Sequence, residues 1–143
     1  MKFTCKVTIN KPIALVAKIF EDPDALKHCQ EGFVSLEHLS GTKGQAGAKA
    51  KFTYTKFELL ETIIHNKLPD EFLALYEHKH MSNTMQVNFI EIDQNTTQYV
   101  SKIHYTKFNG FFIKLMAKFF PKMFEKQVLR WMVKFKNYCE ATN

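Results

Sequence analysis

The sequence predicts an α+β protein in which a curved antiparallel sheet of six to seven strands wraps a long C-terminal helix, with two short helices after the first strand. Three observations predict it. Several stretches alternate strictly between apolar and polar residues, the period of a half-buried strand. From Phe124 onward the apolar residues Phe124, Val128, Trp131, Met132, Phe135 and then Tyr138 or Cys139 share one face of a helix, with Lys126, Arg130, Lys134 and Lys136 opposite. A helix carrying such large apolar groups needs a large partner surface, and the residues before it read mainly as strand. Any ligand is expected between sheet and helix.

In Lys2–Ile9, Phe3, Cys5, Val7 and Ile9 take one face and Lys2, Thr4, Lys6 and Thr8 the other. Asn10 is expected to cap a helix with Pro12 in its first turn and Ile13, Val16, Ala17 and Phe20 on one face. Asp22-Pro23-Asp24 stops it, and Pro23 begins a second short helix to Cys29. Gly32 opens a strand over 33–39. Gly41, Gly44 and Gly47 then fit neither phosphate-cradling glycine pattern, so 40–48 reads as a turn with a bulge. The next strand, 49–55, turns Ala50, Phe52 and Tyr54 inward. A bend is expected near Lys56–Glu58 without any Gly, Pro or Asn to mark it. Asn66–Asp70 with Pro69 is a turn, 71–80 a strand, 81–84 a polar turn and 85–92 a strand. After Asp93-Gln94-Asn95, the strand 97–107 places Tyr99, Ser101, Ile103 and Tyr105 together, with Gln98, Val100, Lys102 and His104 opposite. Past Gly110, Phe112, Leu115, Met116 and Phe119 form an apolar helical face. It is out of phase with the later one, so Pro121 kinks the helix or splits it in two.

A chain of 143 residues is expected to be one domain, 1–143, large enough to bury about 70% of its unfolded surface. Phe supplies 14 of its 20 aromatic residues, bulk that either thickens a core or lines an apolar cavity. No signal sequence or membrane-spanning run is readable, and Cys5, Cys29 and Cys139 have neither disulfide nor zinc spacing. Reduced thiols and a cytoplasmic location are the expectation. The net charge of +6 is uneven: residues 111–143 hold seven Lys or Arg and two Glu, a net +5. With no nucleic-acid-binding signature beside it, this basic face reads as solvated, and no nucleic-acid partner is expected. If that face binds anything, the expected contact is a weak one with an anionic membrane through Phe111–Lys122, where Phe111, Phe112 and Phe119 accompany the lysines.

Catalytic candidates are weak. His78 and His80 share a strand face and need a third ligand, such as His104 or Glu61, to hold a metal; two-residue spacing alone defines no site. They read as core-edge or partly exposed histidines, and neither metal nor cofactor is expected. Glu61 lies among apolar residues, where a carboxyl has a raised pKa and can move protons. With Tyr54, Tyr76, Tyr99 and Tyr105 facing the same concavity, mutual satisfaction in a buried polar cluster is the simpler reading.

Specific stretches carry a resemblance. Ile9-Asn10-Lys11-Pro12 into Val16–Phe20 and Asp22–Leu26, Gly41 with Gly47, and Leu115–Ala117 through Pro121 into Trp131–Glu140 are similar to the START-like (SRPBCC) superfamily. That group includes relatives of the birch-pollen allergen and polyketide cyclase/dehydratase-like proteins. Tyr76–Met85 and Tyr105–Gly110 resemble a bacterial branch of it. The resemblance covers essentially the whole chain and implies the helix-grip fold, with a cavity between the concave sheet and the last helix. It brings no family-wide catalytic motif. The expected wall is Phe52, Tyr54, Tyr76, Phe89, Tyr99, Ile103, Tyr105, Phe124, Trp131, Met132 and Phe135. The expected function is binding or transport of an apolar or amphipathic small molecule or lipid. A cyclase/dehydratase-like enzyme, a membrane-docking lipid carrier, and a scaffold filled by its own phenylalanines are the alternatives.

Overall fold

The computed structural model describes residues 1–143. Strand β1 (Lys2–Ile9) leads into helices α1 (Ile13–Phe20) and α2 (Pro23–Cys29). Strands β2 (Phe33–Ser40), β3 (Lys49–Tyr54), β4 (Glu58–Lys67), β5 (Glu71–Glu77), β6 (Met81–Asp93) and β7 (Thr96–Phe108) follow, then α3 (Phe111–Phe119) and α4 (Pro121–Glu140). All seven strands form one sheet, ordered β1-β7-β6-β5-β4-β3-β2, with every pair antiparallel. The long excursion from β1 to β2 through two helices lets β1 close on β7, so the two ends of the chain's β-region meet. Their register pairs Cys5 with Ser101 and Val7 with Tyr99.

The C-terminal helix lies on the concave face. It buries Phe124, Met132, Phe135 and Cys139, the stripe that the spacing predicts. Glu140 anchors its end: one carboxylate oxygen accepts from the Asn10 backbone N–H at 2.8 Å and from Lys136 Nζ at 2.5 Å. His28 of α2 stacks on Tyr138 with ring centroids 5.1 Å apart. Phe20, the last residue of α1, meets four aromatic rings edge-on: Phe72, Phe89, Tyr99 and Phe135. All three cysteines are free and buried. Burial pushes the Cys29 thiol up to about 11 and that of Cys139 to about 12, so they act as packed apolar groups.

Several local expectations are corrected. Asn10 does not cap α1: Pro12 occupies the N-cap position with extended geometry and no side-chain cap, leaving Asn10 too early to reach the helix's free N–H groups. Asp22 does cap α2, accepting from the Asp24 N–H at 2.9 Å. The turn expected at 81–84 lies instead at 78–80. Met81–Thr84, polar as it is, pairs with β5 on one side and β7 on the other, and that double ladder overrides local composition. His78 and His80 therefore sit in a turn and not on one strand face. The bend between β3 and β4 spans 55–57 and is closed by the Tyr54 N–H donating to the Phe57 carbonyl at 2.8 Å. Phe57 stacks on Tyr54 at 4.5 Å, so aromatic packing holds a bend that no turn residue marks. Gly41 does need to be glycine: its φ is +78°, and a Cβ there meets the Ala48 Cα at 2.9 Å. Pro121 begins a second helix, with Phe120 as the break. No helix is long and apolar enough to cross a membrane.

Candidate ligand cavity

Between the concave sheet and α4 lies a cavity of about 510 Å³, with hydrophobic residues forming 24 of its 37 lining positions. Its walls follow from strand parity. Inward residues of β3 (Ala50, Phe52, Tyr54), β4 (Leu59, Glu61, Ile63) and β7 (Tyr99, Ser101, Ile103, Tyr105) form the floor, and α4 supplies Val128, Trp131, Met132 and Phe135 as the roof. The side chains of the protein do not fill this space. The volume lies within the range of small-molecule sites, which are mostly apolar with a few placed polar groups.

Of the expected wall residues, Phe52, Tyr54, Tyr76, Tyr99, Ile103, Tyr105, Trp131, Met132 and Phe135 line this cavity. Phe89 and Phe124 do not. Phe89 has the right parity but sits too far along β6, sealed behind Phe20 at 5.4 Å and Tyr99 at 5.1 Å. Phe124 lies in the first turn of α4, against Tyr105 at 5.2 Å and Phe108 at 6.0 Å. Phe57, Gln30 and Leu26 line the cavity without having been expected there. Strand parity places Ser101 but carries no information about α2, so Gln30 had no signal in the sequence.

The polar features are few. Glu61 is 9% exposed, and the Tyr76 hydroxyl donates to its Oε2 at 2.6 Å. Burial raises the Glu61 pKa above the ordinary carboxylate value, and the Tyr76 hydrogen bond partly opposes that. Burial also raises Tyr76, with the nearby Glu61 charge adding to the shift. Tyr54 donates to Gln30 Oε1 and stacks on Trp131 with centroids 5.7 Å apart. Burial holds the Tyr105 phenol up at about 12 and raises Tyr54 and Tyr99 as well, so all four remain neutral donors at physiological pH. Ser101 Oγ and Trp131 Nε1, both on cavity-lining residues, have no partner among the protein's atoms.

No three His, Cys, Asp or Glu side chains converge as a metal site. His78 packs edge-on against Phe57 at 5.6 Å, and its Nδ1 accepts from the His80 backbone N–H at 3.1 Å. Burial lowers its pKa. Neither histidine lines the cavity, and neither does His104. Glu61, inside the cavity, is thus separated from His78, His80 and His104.

No protein-family model matches the sequence, and no curated protein matches it. Solved structures do. The Zhui aromatase/cyclase from Streptomyces sp. R1128 superposes with a TM-score of 0.81 at 10% identity, covering 98% of this chain and 93% of that one. Ara h 8.0201 gives 0.72 at 11% identity, over 99% of each chain. Truncated norcoclaurine synthase from Thalictrum flavum gives 0.73 at 11% identity, covering 100% of this chain and 95% of that one. The chain has the helix-grip fold, a curved antiparallel sheet around a long C-terminal helix, that these structures share. At these identities, the likeness establishes the fold.

Proposed function

We propose that this protein binds an apolar or amphipathic small molecule in the cavity between sheet and α4. The observation that carries the reading is the unfilled, largely apolar space of about 510 Å³, with the Glu61–Tyr76 pair as its buried polar station. Apolar burial supplies most of the affinity, about 25 cal/mol per Å² before association costs. The tyrosine hydroxyls orient the ligand's polar end. Neighbours of the same fold include proteins named as an aromatase/cyclase and a synthase, which fits a cavity that admits organic molecules.

Trp131 is the chain's single tryptophan and lines the cavity, so its emission reports on occupancy. Native mass spectrometry of protein purified from its own host is expected to show a co-purifying small molecule. Its extraction is expected to shift Trp131 emission, and its return to restore it saturably. A chain that carries nothing, and whose emission is unmoved by a broad panel of apolar compounds, would overturn the reading.

A second reading has a specific observation behind it: Glu61 is a carboxyl held protonated to higher pH than usual, inside the cavity. It is placed to act as a proton donor or acceptor in a cyclase- or dehydratase-like reaction. Glu61→Gln is expected to abolish the acid–base limb of the pH–rate profile while sparing ligand binding. Absence of turnover with ligands that bind counts against this second reading and leaves the binding reading standing.

A further inference from the structure

The helix α3 buries none of its residues. Ile113, Met116 and Ala117 form its half-buried side toward the rest of the protein, while Phe111, Phe112, Leu115 and Phe119 face outward. Phe111 and Phe112 are 81% and 72% exposed, and Phe120 and Met123 extend the apolar surface past the break. An uncovered set of large apolar side chains of this kind marks an interaction surface. Lys114, Lys118 and Lys122 flank it, and the segment 109–124 contains no acidic residue. None of the three lysines makes an ion pair. Lys118 Nζ lies over the Phe119 ring, 5.4 Å from its centroid, so cation and apolar surface adjoin.

We propose that α3 and the Phe120–Met123 corner dock onto an anionic lipid bilayer, with the phenylalanines entering the headgroup boundary and the lysines meeting the lipid charge. Charge selects this occupant. A second copy seated two-fold on the same face brings the unpaired lysines of one chain toward those of the other, whereas an anionic surface neutralises them. The place of α3 in the chain gives the docking a consequence. It joins β7 to α4, and these elements line the cavity with Tyr105 and Gln127, so the bilayer lies at that end of the cavity. The docking itself does not depend on what the cavity holds, since no residue of α3 lines it.

The test is co-sedimentation of the full chain with phosphatidylcholine vesicles, with and without phosphatidylserine. Binding is expected only to the anionic vesicles and is expected to weaken as salt rises. Lys114→Glu/Lys118→Glu is expected to lower the bound fraction at least about tenfold, and Phe111→Ser/Phe112→Ser to lower it comparably. All four positions are exposed, so circular dichroism and Trp131 emission should remain those of the unaltered chain. Failure to sediment with anionic vesicles, or equal binding by the altered chains, overturns the proposal. So does concentration-dependent self-association abolished by the same substitutions, which assigns the face to a second copy. Loss of vesicle binding with cavity occupancy intact separates this surface from the ligand reading above.

Discussion

Phe20→Ala is expected to lower the unfolding free energy by about 3–5 kcal/mol, among the largest effects available from one side chain. Its ring terminates α1 and reaches Phe72 and Phe89 at 5.4 Å, Phe135 at 6.1 Å and Tyr99 at 6.4 Å, which belong to β5, β6, α4 and β7. One residue therefore couples the first helix to three strands and the C-terminal helix. Edge-on pairs add about 0.5–1.5 kcal/mol beyond area burial, so truncation loses more than the ring's transfer energy. Phe20 also lines the cavity and stands between it and Phe89. The truncated chain should consequently gain cavity volume as it loses stability and accept bulkier ligands. Urea unfolding checks the first effect: the midpoint should fall while the slope stays near that of the unaltered chain. Trp131 emission checks the second. A loss below about 1 kcal/mol is the size of an ordinary surface-to-average change and would show that these rings pack without Phe20.

The parts that a sequence reading recovers and those it misses differ for physical reasons. Strand parity is local, so alternation in β1, β3 and β7 correctly faces Val7, Phe52, Tyr54, Tyr99 and Ile103 inward. Parity says nothing about position along a strand. Phe89 has the inward face but ends under α1, where Phe20 covers it, and only the three-dimensional path of α1 decides that. Helical spacing likewise identifies the buried stripe of α4 from Phe124 to Cys139. In α3 the same reasoning finds an apolar face without revealing that nothing covers it, because periodicity reports a face and not its neighbour. Composition puts the β5–β6 turn three residues too late because Ser82-Asn83-Thr84 are loop-like residues. Pairing on both sides of a central strand outweighs that local preference. Gln30 contributes a cavity hydrogen bond from the end of α2, a contact between distant segments that no spacing encodes.

The Glu61–Tyr76 pair makes the second large prediction, a pH dependence opposite in sign to that of most paired carboxylates. Burial raises the folded-state pKa of Glu61 above its ordinary value of 4.5. Between these two values the folded chain holds a proton that the unfolded chain has released. Stability therefore falls as pH rises through that window, and the contribution is fully present only below the unfolded value. Glu61→Gln removes the titration while keeping an acceptor for the Tyr76 hydroxyl. Its stability should be flatter over the window and should gain on the unaltered chain as pH rises. Tyr76→Phe acts on the other partner. It deletes the hydrogen bond that favours the carboxylate, so the Glu61 pKa moves further up and the declining limb extends to higher pH. A buried oxygen left without its donor also costs about 1–3 kcal/mol at neutral pH. Urea unfolding of the three chains across a pH series checks both effects. If the unaltered chain and Glu61→Gln show parallel pH profiles, Glu61 is solvated in the folded state. The cavity then lacks the neutral acid on which a proton-transfer reaction depends, while its apolar walls, and the binding proposed for them, are untouched.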